Sequence, residues 1–516
     1  MRKQATSMSN KRLVHQALAV KLRQGNHTLP KMRIKILTAI ATTCLSCSSF
    51  LVTTPAKAAA GPYCQFTPEE VAVKEKLLTT SLKNDQGKAE YEAMVQKHRE
   101  MLQICRSQTW PEEQAVWLRL YPCDIKPGSI DYVLDRIVNL GYNRIHLEVF
   151  YDSQVLLPPG DNPTPWTPVV QSPNGDQIDL LQQAIDKAHQ RGLKVYAWMF
   201  TMNFGYTYAQ RPDRQEALAR NAKGQNSLSY VHDLAQAFVD PYSPQAQTDY
   251  ANLVQAVLER KPDGILFDYV RYPRGVAGQS SVHSVKDLWI HGKSSLNALY
   301  SRATNSKGLA LIKKFVEKGN LSANDIKIVD QQYPKETLAK WQGSPSESDS
   351  KASASSRQNK LNQDLWFFSV AHAAQGVIDF LSSAAQPVQD RGLKAGAVFF
   401  PDANRRVSGQ GFDSRLQAWD QFPQDLEWHP MAYAVCEEKT NCITDEVTKV
   451  LKTSPETNVI PAIAGAWGKE YRNHLPLETQ IEALRKATPE VNSISHFSYA
   501  WLEPDLDRRR QSCKLF

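Results

Sequence analysis

The stretch DGILFDYVRYP, residues 263–273, places a carboxylate at the end of an apolar run. Residues 264–267 have the composition of a buried strand, Asp268 follows directly, and the cation Arg271 comes three residues later. Because an unpaired buried carboxylate is costly, Asp268 should have a partner or a chemical task. It could act as a nucleophile, a base or a stabiliser of oxocarbenium-like charge, or it could form a structural ion pair with Arg271 or another cation.

Glycosidic bond hydrolysis by carboxylates requires a second acid, about 5–5.5 Å from the first for retention of configuration or ~6.5–9.5 Å for inversion. Glu148 lies in the run IHLEVFYDS, and Asp402 follows the apolar run GAVFF. Glu148 and Asp402 are the preferred partners of Asp268 because both are expected at strand ends or on inward faces. Glu427 and Glu503 are alternatives that the sequence does not rank.

Aromatic and polar residues recur near the ends of the predicted strands. Sugar rings pack their C–H faces on aromatic side chains, while their hydroxyls need polar partners, so a cleft with both suits a glycan. For any single residue, including His429, a structural role remains an equal or better explanation. The candidate substrate-binding residues are Trp198, Asn203, Tyr269, Arg271, Tyr272, His429, Tyr433, Trp467 and Trp501.

Eight apolar runs with helical patterns in most of the gaps predict an α/β fold, specifically a (β/α)₈ TIM barrel. A doubly wound open sheet is the alternative, but no Gly-x-Gly-x-x-Gly motif supports dinucleotide binding. The predicted strands are residues 115–120, 144–151, 194–201, 264–269, 393–400, 426–433, 459–465 and 493–501. The predicted helices are residues 130–140, 178–191, 244–259, 364–385, 413–421 and 476–487.

Three further segments surround the barrel. Residues 62–110 predict a helical hairpin, which begins with the capping box Thr67-Pro68-Glu69-Glu70. The two parts of the barrel, 112–275 and 361–505, are separated by an insertion over 276–360 and followed by a tail over 506–516. Within the insertion we expect helices in 296–318 and 322–341 and a flexible Ser/Lys-rich segment over 343–360. The insertion leaves the catalytic end of strand four, where it could cover the cleft, bind a partner or be an ornament.

Residues 1–58 are predicted to be a cleaved signal peptide, with an uncleaved membrane anchor as the alternative. They contain ten Lys/Arg and no Asp/Glu, an apolar stretch over 36–52, and the small-x-small pattern Pro55-Ala56-Lys57-Ala58. Translation could start at Met1 or at Met32. The chain is therefore expected to be exported to the periplasm or the extracellular space, with no membrane span after signal removal.

Six cysteines remain after residue 58, an even number that suggests disulfides in an exported protein. The hairpin would bring Cys64 next to Cys105, so we favour that pair. The pairing of the other candidates, Cys123, Cys436, Cys442 and Cys513, stays open.

Several chemistries lack a sequence signal. The net charge is +8, but residues 59–516 carry 51 basic and 53 acidic side chains, so nucleic-acid binding is not expected. Neither Gly-x-Ser-x-Gly nor His-Glu-x-x-His occurs, and the mature chain has no Cys-x-x-Cys pair. We expect no cofactor and no metal site, and we expect a monomer.

Several motifs together resemble bacterial glycosyl-hydrolase-like proteins of the "family 10 glycosylhydrolase" type. These are GILFDYVRYP at 264–273, NRIHLE at 143–148, AHQRGLKVYAW at 188–198, VDP at 239–241 and HPMAY at 429–433. The resemblance covers about residues 112–275 and 390–505. It implies an α-amylase-like barrel, action on polysaccharide or cell-wall glycan, and a nucleophile-like position for Asp268. Many members have a second Asp where this chain has Tyr269.

The residues and the resemblance together favour an exported glycoside hydrolase that acts on peptidoglycan or another extracellular polysaccharide. Asp268 would attack or stabilise the anomeric carbon, and Asp402 or Glu148 would protonate the leaving oxygen. A non-catalytic glycan-binding or envelope-scaffold protein on the same barrel is the alternative.

Overall fold

A barrel of eight parallel strands forms the centre of the computed structural model, which describes residues 62–171, 178–230, 235–344, 352–407, 409–436 and 439–515. The predicted signal peptide lies outside these ranges. The strands are β1 (Glu113–Leu118), β2 (Arg144–Tyr151), β3 (Lys194–Phe200), β4 (Gly264–Asp268), β5 (Lys394–Phe399), β6 (Glu427–Pro430), β7 (Ala462–Ala464) and β8 (Ser493–Phe497). Their order is β6-β5-β4-β3-β2-β1-β8-β7. The N–H of Ile460 donates to the Trp428 carbonyl at 2.8 Å and that of Ala432 to the Ala462 carbonyl at 2.9 Å, so the ring is nearly closed. The predicted (β/α)₈ barrel is confirmed.

Helices surround the barrel and fill most gaps between its strands. They are α1 (Pro68–Ser81), α2 (Asp85–Gln108), α3 (Ser129–Asn139), α4 (Leu180–Gln190), α5 (Tyr206–Gln210), α6 (Pro244–Glu259), α7 (Lys293–Ser301), α8 (Ser306–Lys318), α9 (Ala323–Gln332), α10 (Ala354–Gln389), α11 (Asn441–Thr453), α12 (Leu477–Ala487), α13 (Tyr499–Leu502) and α14 (Pro504–Gln511). The sequence did not predict α11, which lies between β6 and β7. Within the described residues, none of these helices combines the length and the apolar character that crossing a bilayer requires.

The gap between β5 and β6 differs from the prediction. The helix predicted over 413–421 is wrong: Gly411–Asp413 is a short strand that pairs with Arg406–Val407 and with Ser281–Val282. Leu416 has a φ of 44°, a left-handed conformation that an α-helix does not allow. Only the single 3₁₀ turn Trp419–Gln421 follows. The short sheet therefore ties the loop after β5 to the insertion after β4.

The insertion is largely helical. The helices expected within 296–318 are α7, which begins slightly earlier at Lys293, and α8, and α9 occupies the first half of the range 322–341. The prediction that residues 343–360 are flexible is partly wrong, because α10 begins at Ala354. Ser353 caps this helix, and its hydroxyl oxygen accepts the Ser356 N–H at 3.2 Å. Residues 345–351 of that segment lie outside the described ranges. Helix α10 has 36 residues and also serves as the crossover helix before β5.

The N-terminal hairpin of α1 and α2 is attached to the barrel by a buried polar cluster. Asp135 of α3 lies 3.1 Å from Lys74 Nζ, accepts a hydrogen bond from the Tyr91 hydroxyl at 2.6 Å, and accepts another from Arg191 Nε at 2.8 Å. The predicted Cys64–Cys105 disulfide is confirmed. The other four candidate cysteines form Cys123–Cys513 and Cys436–Cys442.

The lower part of the barrel interior is polar. Arg144 lies 3.8 Å from Glu427, and His429 lies 3.4 Å from the same carboxylate oxygen. The ring of His146 meets that of His429 with centroids 5.5 Å apart. All four side chains are buried, because they alternate with outward-facing residues on β2 and β6. We call this group the barrel floor.

Candidate active site at the carboxyl ends of the strands

Asp268 is the last residue of β4 and lies at the end of the barrel where the strands finish. Its side chain is buried, and two donors hold it in place: the Trp198 indole N–H at 3.0 Å and the backbone N–H of Tyr269 at 2.6 Å. Tyr269 has a φ of 53°, so the chain turns away immediately after the strand. Burial raises the pKa of Asp268 above its ordinary value, while the two hydrogen bonds and the Arg271 cation act in the opposite direction.

Glu148 of β2 is the second buried carboxyl group in this region. Arg119, the first residue after β1, donates to both of its oxygens, with Nη2 at 3.0 Å from Oε1. Burial raises the pKa of Glu148 to about 7 against the effect of Arg119, and repulsion from Asp152 and Asp268 adds to the rise. Asp268 is therefore close enough to Glu148 for the two charges to interact.

Trp198 of β3 lies between the two acids. It is the neighbour of Glu148 across β2 and β3, and its indole N–H binds Asp268. We call Glu148 and Asp268 the acid pair. A carboxyl group whose pKa is raised to about 7, beside a second carboxylate, is the arrangement that glycosidases use to supply a proton and stabilise positive charge.

Asp402 follows β5 and has different surroundings. Its carboxylate is partly exposed and lies 3.0 Å from Arg415 Nη2 and 3.9 Å from Arg405. Burial would raise the pKa of Asp402, but the hydrogen bond and charge of Arg415, with help from Arg405 and Arg274, lower it below its ordinary value. A carboxylate held in this way is an ion-pair partner rather than a proton donor.

Several predicted binding residues surround the acid pair. Tyr269 follows Asp268 in the chain, and the Arg271 guanidinium lies 4.6 Å from the centre of the Tyr269 ring. Burial raises the pKa of Tyr433, and the charge of Asp268 adds to this rise, which places Tyr433 near the acid pair. Trp501 lies on the β8 side of the acid pair, where the centre of its ring is 5.9 Å from that of Phe497.

Other predicted site residues lie in structural positions. Tyr272 and Asn203 are fully buried, and the Asn203 amide oxygen accepts the Ala237 N–H at 2.9 Å, which shapes a loop. His429 belongs to the barrel floor. Trp467 donates to the Tyr142 hydroxyl at 3.1 Å, and its ring lies 5.2 Å from that of Tyr63.

The two alternative carboxylates are also in ion pairs. Glu427 belongs to the barrel floor, where burial alone would raise its pKa but His429 and Arg144 lower it. Glu503 pairs with Arg136 of α3. Neither contacts the acid pair.

Sequence reasoning missed several residues. Arg119 follows an apolar strand just as Asp268 does, so the same signal could have found it. Phe497 joins Trp198 and Tyr433 through ring contacts at 6.4 Å and 5.7 Å. Glu446, whose pKa is raised to about 7 by burial, lies on the unpredicted helix α11 and is near enough to Asp402 to be repelled by it.

A second aromatic group extends the surface beyond Phe497. The ring of Trp501 lies 5.3 Å from that of Tyr471 and 5.7 Å from that of His474, and Arg472 lies 5.0 Å over Trp501. Tyr471 and His474 flank a turn whose tip, Arg472 and Asn473, has left-handed backbone. We call Phe497, Trp501, Tyr471 and His474 the aromatic rim.

Known proteins resemble this chain in the region that carries the acid pair. Residues 119–290 match the model of the family described as glycosyl hydrolase-like 10. The glycosyl hydrolase DigH of Escherichia coli (strain K12) is 30% identical over 145 residues, which cover 26% of this chain and 32% of that relative. The chain thus spans about a third of the length of the curated relatives it matches.

Solved structures show a more distant similarity. A GH18 chitinase from Pseudoalteromonas aurantia aligns with 78% of this chain and 97% of its own length, with a TM-score of 0.35 and 10% identity. A GH20 exo-β-N-acetylglucosaminidase from Vibrio harveyi aligns with 79% of this chain and 54% of its own length, with a TM-score of 0.37 and 9% identity. Over residues 119–290, the chain is similar to the glycosyl-hydrolase-like family, as the sequence motifs indicated.

Proposed function

We propose that this protein is an exported glycoside hydrolase that acts on a cell-envelope or extracellular polysaccharide, with a peptidoglycan-type glycan favoured. The observation that carries the proposal is the pair of buried carboxyl groups, Glu148 and Asp268, on either side of Trp198 at the carboxyl ends of the strands, and the raised pKa of Glu148, about 7, supports it. The family similarity over residues 119–290 supports it. The three disulfides are consistent with export to an oxidising compartment.

In this proposal, Asp268 stabilises the anomeric carbon as the glycosidic bond breaks, either by direct attack or by its charge. Protonated Glu148 donates its proton to the leaving oxygen. The Glu148 carboxylate then takes a proton from the water that attacks the anomeric carbon, which completes the hydrolysis and restores protonated Glu148. Trp198 orients Asp268 through its indole N–H. Tyr433 and the aromatic rim provide rings on which sugars can pack.

A glycan-binding protein without turnover is the second candidate. The two-point contact between Arg119 and Glu148 favours it, because a paired guanidinium stabilises the ionised carboxylate that cannot donate a proton. The two candidates differ in whether Glu148 can be protonated at neutral pH.

Release of reducing ends from a panel of peptidoglycan and neutral glycans distinguishes the two candidates. A hydrolase releases reducing ends from at least one glycan, and Asp268→Asn lowers that rate by about 10²–10⁴-fold while glycan binding and folding persist. Binding without release by the wild-type protein, on every glycan of the panel, would contradict the hydrolase proposal. Equal rates for wild type and Asp268→Asn would contradict the role of Asp268.

A further inference from the structure

Four arginines lie together at the ends of β4 and β5, next to Asp268. Arg271 and Arg274 follow β4, while Arg405 and Arg415 follow β5. The backbone N–H of Tyr272 donates to the Arg415 carbonyl at 2.9 Å, so the two segments run side by side. We call these four residues the arginine cluster.

The carboxylates around the arginine cluster do not match its charge. Asp413 and Asp402 both bind Arg415, at 2.7 Å and 3.0 Å, and each lies 3.9 Å from Arg405. Within the part of the chain that the structure describes, Arg271 and Arg274 have no carboxylate within ion-pair distance. Four guanidinium groups thus face the two aspartates that pair with them and Asp268, whose charge acts on Arg271, so positive charge is in excess beside the acid pair.

Arg271 is the unusual member because it is buried. It is 7% exposed, and its Nη1 donates a hydrogen bond to the carbonyl of the next residue, Tyr272, at 3.0 Å. Its guanidinium also lies 4.6 Å over the Tyr269 ring and 5.5 Å from the Phe238 ring. Burial lowers the pKa of Arg271, Tyr269 and Asp268 act to raise it, and the charges of Arg415 and Arg274 lower it further.

Burying a cation without an ion-pair partner is costly, and an anion bound at this point would offset that cost. Arginine presents a planar fork that binds carboxylates at two points, and two arginines with opposite exposure can hold such a group from two sides. The position beside Asp268 puts this anion on a sugar near the bond that is cleaved.

We propose that Arg271 and Arg274 bind a carboxylate carried by a sugar of the substrate, so that this enzyme is selective for acidic glycans. This inference rests on the proposed function and names the substrate class of the same site. Two kinds of sugar carry the required group: a hexuronic acid and a hexosamine with an ether-linked lactyl group. In both cases the recognised chemistry is a carboxylate on the ring or on a short ether arm.

The test compares kcat/KM on four glycans: one with hexuronic acid, one with lactyl-substituted hexosamine, and the carboxyl-reduced form of each. We expect wild type to prefer an acidic glycan over its reduced form by about 10-fold or more, and high salt to weaken the preference. The acidic glycan that shows the larger preference identifies the source of the carboxylate. Equal kcat/KM for acidic and reduced forms in an active enzyme would overturn the proposal.

Variants locate the effect. Arg274 is exposed, so Arg274→Gln should fold and should reduce the preference for the acidic glycan by about 5-fold. Arg271→Lys keeps the charge but loses the fork and should reduce the preference by at least as much. Arg485→Gln, an exposed arginine on α12 that pairs with Glu482, is the matched control and should leave the preference unchanged. Preferences unchanged in both cluster variants would overturn the proposal.

Binding measurements separate this inference from the hydrolase proposal. Titration of the Asp268→Asn protein with acidic and reduced glycans reports charge selectivity without turnover. Selective binding together with no hydrolysis by wild type would overturn the hydrolase proposal and leave carboxylate recognition supported. Hydrolysis by wild type without selectivity in rate or binding would overturn only carboxylate recognition.

Discussion

The acid pair and the arginine cluster lie on neighbouring strands of one barrel, yet the pKa of a carboxyl group is raised in the first and lowered in the second. Glu148 is enclosed, near Asp152 and Asp268, and its pKa is raised to about 7. Asp402 is partly exposed among arginines, and its pKa is lowered. The difference teaches that position at a strand end does not decide the role of an acid; the balance of burial and nearby cations does.

Replacing Glu148 and Asp402 in turn is the most direct test of the difference between them. Glu148→Gln should lower hydrolysis by about 10²–10⁴-fold, because it removes the proton donor. Asp402→Asn should keep the rate within about 3-fold, because a group that stays ionised supplies no proton. Reducing-end release at neutral pH measures both.

Glu446→Gln is the control for the other buried acid with a raised pKa. We expect it to keep most activity because the carboxylate that acts on Glu446 is Asp402, which is outside the acid pair. A larger loss in Asp402→Asn or in Glu446→Gln than in Glu148→Gln would show that the acid pair is assigned wrongly.

The arginine cluster should contribute more to stability than to the chemical step. Arg415 is 1% exposed and binds both Asp402 and Asp413. Arg415→Gln would leave buried Asp413 with only the more distant Arg405, at 3.9 Å, and should lower the free energy of unfolding by about 3 kcal/mol. Denaturant unfolding followed by circular dichroism measures this change. Asp402→Asn is the matched control, with an expected loss within about 1 kcal/mol; equal stability of wild type and Arg415→Gln would contradict the structural role.

The pH dependence of hydrolysis separates Glu148 from Asp402. If protonated Glu148 is the acid, the rate falls as the pH rises through about 7. Arg119 favours the ionised carboxylate, so Arg119→Gln should raise the pKa of Glu148 and move this falling limb to higher pH. The pH profile of kcat/KM should be unaffected by Asp402→Asn, and a limb that does not move in Arg119→Gln argues against Glu148 as the acid.

The smallest expected effect concerns the Trp198 indole. Its hydrogen bond stabilises ionised Asp268, so Trp198→Phe keeps a ring but should raise the pKa of Asp268 further. The acidic limb of the profile should move toward neutral pH, and the rate measured on that limb should fall by about 10-fold. Little change is expected above the pKa of Asp268, which distinguishes this effect from a packing defect.

Much of the fold could be predicted from local patterns. Most barrel strands contain short runs of apolar or aromatic residues, and Asp268 was recognisable because a carboxylate directly follows such a run. The hairpin and the Cys64–Cys105 disulfide followed from capping residues and helix lengths. These features depend on neighbours in the chain, which the sequence displays.

The environment of each candidate acid depends on distant residues. Asp402 looked as promising as Glu148, because its partner Arg415 lies 13 residues on, in a segment that the pattern assigned to a helix. Trp467 looked like a cleft residue, but the barrel packs it against Tyr142. The Cys123–Cys513 pairing spans a sequence separation of 390, which no local pattern reveals.

The barrel floor has a consequence for how the strands align. Arg144, His146, Glu427 and His429 occupy alternate positions, so sliding β2 or β6 by one residue would turn these groups toward the surrounding helices and bring apolar side chains inside. Each shifted arrangement would leave a buried charge without its partner. An apolar interior would tolerate several alignments of parallel strands at similar energy, whereas this interior penalises all but one.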